Sequence, residues 1–203
     1  MSHEDQKKEI INSLKKVTTL LRNCSADYRF LGSVLIVSYS GKLYRHIADV
    51  DVMLERKSKD CLFEALANNE FKIIKKNWLS FSWFEATKPN YLGLTFLLIG
   101  DFEENFFRYK ISKNLELRIN NDYLKSTIYH YGGVSFIGIP LSSAIAGIKQ
   151  SFLNPKRKHD RILLQNKMKE RVKIFDNINV YYKDIKLPYL YDFFRSSTTY
   201  MEP

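Results

Sequence analysis

The chain has 203 residues, of which 45% are apolar and 27% charged; Lys and Arg total 32 against 22 Asp and Glu, a net charge of +10 with His neutral. Such a composition excludes a disordered chain, a collagen and a coiled coil, and the length allows a core that needs no staples. The charged N-terminal stretch has no apolar core of a leader, and the longest apolar run, from Leu92 to Ile99, is far short of the roughly 20 residues of a membrane span.

Residues 3–23 carry Ile10, Ile11, Leu14, Val17, Leu20 and Leu21 at helical spacing, with Ser2 as N-cap. Tyr28–Leu31 reads as a short strand that stops at Gly32. The β-branched stretch Ser33–Ser40 reads equally as a helical turn or a strand. A polar, basic loop, Gly41–Ala48, leads into Asp49–Leu54, where polar and apolar residues alternate as in a half-buried strand. Lys59–Asn69 predicts a second helix and Phe71–Lys76 a strand. Ser80–Ala86 and Tyr91–Ile99 predict two strands around a Lys-Pro-Asn turn. Phe107–Ile111 and Leu115–Ile119 predict a hairpin. Asn121–Tyr129 reads as helical, with Gly132-Gly133 as a helix stop. Val134–Ile139 is strand-like, Ser142–Phe152 helical, and Lys156–Phe175 a longer basic helix. The aromatic tail from Asp176 gives no element. The order predicts an α+β fold with a helical C-terminal part from about residue 141.

Cys24 and Cys61 are too few for a disulfide framework or a four-cysteine zinc site. They are expected as two reduced, half-buried thiols of a cytoplasmic protein. His46 reads as a solvated loop residue, and His130 and His159 show no zinc-ligand spacing. No P-loop or Rossmann glycine pattern occurs. The basic charge is concentrated: residues 149–173 hold nine Lys and Arg against Asp160 and Glu170. Such a run is either a solvated helix face or an attractor of phosphate, whether of a nucleotide, RNA or DNA.

The chemistry is concentrated in residues 30–54. A strand puts residues i and i+2 on one face, so Asp49 and Asp51 project side by side while Val50 and Val52 point inward. Two crowded carboxylates repel. A divalent cation such as Mg²⁺ or Mn²⁺ removes that cost, taking one or two carboxylates and completing its shell with phosphate oxygens. Gly32 lets a phosphate approach the backbone, and Ser33 and the amides after it can donate to phosphate oxygens. Lys42 and Arg45, in the intervening loop, are candidate cations for a triphosphate.

This layout of helix, strand, Gly-Ser, short helix, loop and Asp-x-Asp strand resembles the DNA polymerase β-type nucleotidyltransferase superfamily. The resemblance covers about residues 5–100. A looser likeness to the minimal nucleotidyltransferases and AbiEii-like enzymes continues through Ile139-Pro140-Leu141-Ser142, the helix with Lys149, and Arg157-Lys158-His159-Asp160. It implies a nucleotidyltransferase-like mixed-sheet domain over residues 1–140 and a helical part over 141–203. It implies transfer of a nucleotide from an NTP, with Mg²⁺ or Mn²⁺ on Asp49 and Asp51. Gly32, Ser33, Lys42, Arg45 and Lys149 would bind the nucleotide. The family's third carboxylate falls at Thr95 here. Glu85, on the paired strand, is therefore the expected third catalytic residue, ahead of Asp101, which lies past the strand end. The acceptor hydroxyl would belong to a protein, a tRNA or a small molecule. Two other readings follow from the same features: a catalytically degenerate module that binds nucleotide or nucleic acid, and a partner-covered protein of the toxin–antitoxin kind.

Overall fold

A computed structural model describes residues 2–43, 45–78, 81–102, 105–110, 112–150, 160, 164 and 178–187. The first helix, α1 (His3–Asn23), starts on a reciprocal cap: Ser2 Oγ accepts from the Asp5 N–H while the Asp5 carboxylate accepts from the Ser2 N–H. Its apolar stripe, Ile10, Leu14, Val17 and Leu21, is fully buried. Strand β1 (Tyr28–Leu31) follows and ends at Gly32, whose φ of +72° and ψ of −148° belong to a region open essentially only to glycine. That turn releases the chain into α2 (Ser33–Ser40), which Gly41 closes in the left-handed conformation. The ambiguity over residues 33–40 resolves as helix because Val34 to Val37 are buried in succession, a pattern that fits a helix enclosed on all sides.

Strand β2 (Asp49–Glu55) leads through a 3₁₀ turn into α3 (Lys59–Asn68). Then come β3 (Lys72–Trp78), β4 (Phe81–Thr87) and β5 (Gly93–Ile99). A second group comprises β6 (Asp101–Phe102), β7 (Phe106–Lys110) and β8 (Leu115–Asn120). Strands β9 (Thr127–Tyr131) and β10 (Val134–Gly138) precede α4 (Leu141–Gln150). Strands β11 (Ile178–Tyr182) and β12 (Ile185–Leu187) complete the described chain.

The strands form a seven-stranded mixed sheet, ordered β3-β4-β5-β2-β1-β10-β9, and a five-stranded sheet, ordered β12-β11-β8-β7-β6. In the larger sheet β2 lies parallel to β5 and antiparallel to β1, and β1 lies parallel to β10. Helices α1, α2 and α3 pack over one face, where Phe30, Val50, Val52, Phe84, Phe96 and Phe136 are buried. The opposite face carries the half-buried alternates, among them Leu31, Asp51, Thr95 and Glu85. All of the chemistry predicted for the sheet strands lies on that side.

Four expectations need correcting. Residues 121–129 are not one helix: a 3₁₀ turn over Asn121–Leu124 gives way to β9. Ile128, Tyr129 and Tyr131 alternate as a strand requires, and pairing with β10 outweighs the helical reading of a short polar stretch. Gly132 and Gly133 are then not a helix stop but the two-residue turn of the β9–β10 hairpin, with φ of +54° and +78°. Part of the aromatic tail is ordered into β11 and β12, with β11 pairing antiparallel to β8. Finally, Cys24 and Cys61 are joined in a disulfide rather than standing as free thiols, because the C-cap of α1 and the first turn of α3 meet with a Cα–Cα separation of 5.8 Å. Most of the predicted basic helix over 156–175 lies outside the described residues. Among the described residues, no helix is long and apolar enough to cross a membrane.

Candidate active site

The site is built where β1 ends and β2 begins. Gln6, buried in α1, donates from Nε2 to the Ile47 carbonyl (3.2 Å), which fixes the loop entering β2. The Ala48 carbonyl accepts from the Gly93 N–H (3.1 Å), and the Leu92 N–H donates to Ser13 Oγ on α1 (2.8 Å). The first residues of β2 and β5 are thereby held level with each other before either strand carries a functional group.

Along β2 the burial alternates: Asp49 is exposed, Asp51 and Met53 are half-buried, and Val50, Val52 and Leu54 are fully buried. Asp49 and Asp51 therefore share the open face. Asp51 pairs in register with Leu31, the residue before Gly32. A Cβ on Gly32 would overlap Asp51 Oδ2 and lie 3.4 Å from the carboxylate carbon. The glycine thus makes room for the carboxylate as well as for the turn. As the N-cap of α2 it has no side chain to satisfy the first amides of the helix.

Ser33 sits immediately beyond. Its Oγ accepts a hydrogen bond from the Arg45 guanidinium. The same guanidinium makes a two-pronged contact with Asp160, Nε to Oδ1 at 3.1 Å and an Nη to Oδ2 at 3.0 Å, and its other Nη donates to the His46 carbonyl (3.1 Å). Asp160 is almost wholly buried, with only 4% of its side chain exposed, and Arg45 retains 19%. Arg45 is thus a framework cation at the edge of the notch. Lys42 is exposed on the loop, and Lys149 lies in the last turn of α4.

Glu85 occupies the same face two strands from Asp51, because Asp51 is in register with Thr95 and Thr95 with Glu85. Two strand spacings put their backbones about 10 Å apart. Glu85 forms an ion pair with Lys76 (2.8 Å) and accepts a long hydrogen bond from Trp83 Nε1 (3.4 Å). Asp101 begins β6 in the other sheet, paired with Arg108 and six residues past Thr95. Among the described residues, no group of three or more His, Cys, Asp and Glu side chains converges on one point.

The structure therefore brings together Gly32, Ser33, Arg45, Asp49 and Asp51, and sets Glu85 on their face at a distance. The sequence reading places Asp160 in the Arg157-Lys158-His159-Asp160 run that resembles the minimal nucleotidyltransferases, but names no partner for it in the site. Its partnership with Arg45 spans 115 residues and leaves no local pattern.

No protein-family model matches this sequence, and no curated protein matches it. Solved structures do resemble its fold. The lincosamide antibiotic adenylyltransferase LnuA, in its lincomycin-bound crystal structure, superposes with a TM-score of 0.62 at 16% identity over 76% of this chain and 95% of its own. The solution structure of the antibiotic-resistance factor ANT(2'')-Ia gives 0.61 at 12% identity over 94% of both chains. The crystal structure of ANT(2'')-Ia with adenylyl-2''-tobramycin gives 0.57 at 13% identity over 81% of this chain and 91% of its own.

Proposed function

We propose that this chain, which has the nucleotidyltransferase fold, moves a nucleotide from an NTP to a hydroxyl of a small molecule. The observation that carries the reading is Asp51 seated against Gly32, beside Asp49 and at the start of a helix that opens with Ser33. One fold neighbour is named a lincosamide antibiotic adenylyltransferase and another holds adenylyl-2''-tobramycin, which favours a small-molecule acceptor over tRNA or a protein.

The donor set suits Mg²⁺ or Mn²⁺. Two carboxylates on an accessible face supply hard oxygens and leave the remaining positions to water and phosphate. When bound, the ion would neutralise phosphate charge and polarise the α-phosphate. The other steps fall to the chain. The Ser33 hydroxyl and the first N–H groups of α2 hold the β- and γ-phosphates. Lys42 and Lys149 offset the charge that grows on the leaving group. The acceptor hydroxyl lies over Thr95, between Asp51 and Glu85. Glu85 takes its proton as the new O–P bond forms, and the bond from the α-phosphorus to the pyrophosphate oxygen breaks in line with it.

The test is incubation with each α-labelled NTP and Mg²⁺, offering tobramycin, lincomycin, tRNA and the protein itself as acceptors. Label should pass to a small molecule. Asp49→Ala and Asp51→Ala should each lower transfer at least about 100-fold, the scale of a lost electrostatic element in a catalytic site. Label on tRNA or protein would move the reading to a macromolecular acceptor. The presence of Thr95 between Asp51 and Glu85 favours a second reading, a module that binds nucleotide without turning it over. Mg²⁺-dependent nucleotide binding with no transfer to any acceptor would select it.

A further inference from the structure

The contact of Arg45 with both Ser33 and Asp160 has a directional consequence. A guanidinium only donates, whereas a hydroxyl accepts and donates one hydrogen. Ser33 Oγ accepts from Arg45, so its own hydrogen must point away from Arg45. Arg45 is in turn fixed by the two-pronged contact with a buried carboxylate, the most geometrically exacting pairing an arginine makes. Asp160 is itself held. The Leu164 N–H donates to the Asp160 carbonyl (3.2 Å), one helical turn on, and buried Leu164 packs with Ile36 of α2 and Ile145 of α4. A polar and an apolar anchor from the last third of the chain therefore meet on the helix that Ser33 begins.

We propose that Asp160 is a positioning residue which, through Arg45, sets the Ser33 hydroxyl as a hydrogen-bond donor toward a nucleotide phosphate in the Gly32 notch. The proposal rests on the nucleotide-binding reading above. It gives the C-terminal segment a role in ground-state grip: the buried carboxylate fixes the guanidinium, and the guanidinium occupies the acceptor side of the serine.

Calorimetric titration of the full chain with the four α,β-methylene NTPs and Mg²⁺ tests it. Ser33→Ala should weaken binding about tenfold, the worth of one charge-assisted hydrogen bond. Asp160→Asn should weaken it similarly, and the double variant should bind no more than about threefold worse than either single variant. Arg45→Lys keeps a cation beside Asp160 without the planar fork. It should show the same loss and the same non-additivity, and it decides the matter if Asp160→Asn does not fold. Leu164→Ala loosens the same docking without touching Arg45, so it should lower the melting temperature yet leave affinity within about twofold. Losses that multiply in the double variants overturn the proposal, as does unchanged affinity in Asp160→Asn or, should that variant not fold, in Arg45→Lys. A tenfold loss in a folded Leu164→Ala reduces Asp160 to a structural role and overturns it too. Absence of nucleotide binding by the unaltered chain overturns the proposed function itself, and with it this inference.

Discussion

Gly32 and Asp51 are mutually dependent. The backbone at Gly32 disfavours any side chain, and the space where its Cβ would stand belongs to the Asp51 carboxylate. Gly32→Ala should therefore displace Asp51 and lower transfer by about two orders of magnitude. It should also cost about 1–3 kcal/mol of stability from backbone strain, read as a shift in the urea midpoint. Glu85 and Thr95 separate the two functional readings. If Glu85 is the base, Glu85→Gln should lower kcat about 100-fold with NTP affinity unchanged, while Thr95→Ala stays within about threefold; single-turnover kinetics and calorimetry measure the two arms. The shared face of Asp49 and Asp51 is readable from strand periodicity. The use of Arg45 is readable only in part, since sequence offers it as a cation for a triphosphate, and only the fold brings Asp160 and Ser33 to it.

Between elements, one cluster joins the end of β2 to the turn before β1. Glu55 accepts from the Asp27 N–H (3.0 Å) and the Ser58 hydroxyl (2.8 Å) and pairs with Lys57 (3.0 Å). Burial alone would raise its pKa. The Asp27 N–H, Ser58 and Lys57 outweigh it and hold the carboxyl below its ordinary value of 4.5. The folded pKa is the lower one, so this stabilisation is complete above the unfolded value and disappears as pH falls through the folded value. Glu55→Gln should melt several degrees lower at pH 7, and the gap should narrow as pH falls below the ordinary carboxyl value and close once the folded carboxyl is protonated. The disulfide closes a separation of 37 residues between α1 and α3. Loop-closure entropy gives it roughly 3–4 kcal/mol, so reductant should lower the melting temperature, and alkylation with mass measurement should find both thiols protected beforehand. Strong local patterns make α1, β1, β2, α3 and the β7–β8 hairpin readable in advance. The alternation over residues 127–131 and the Gly132-Gly133 pair are local hairpin signals, but the reading of 121–129 as one helix hides both until the pairing with β10 is seen.

For the whole molecule, chain order gives the α+β class but not the sheet order. Strand β5 lies beside β2 and β10 beside β1, and both pairings are parallel and require crossovers that composition does not encode. Among the described residues, the result is a sheet with α1, α2 and α3 on one side and its polar row on the other. Helix α2 has no wet flank from Val34 to Val37 and is wedged between Gly138 of β10 and the Ile145–Leu164 cluster. A helix so enclosed has nowhere to swing when an anion reaches its first amides. On the proposed function, such a grip on phosphate would be rigid before the encounter, and occupancy should bury almost no fresh apolar surface. Inorganic pyrophosphate with Mg²⁺, titrated at several temperatures, should show a heat-capacity change smaller than about 50 cal/mol/K, what about 100 Å² of newly covered hydrocarbon would produce.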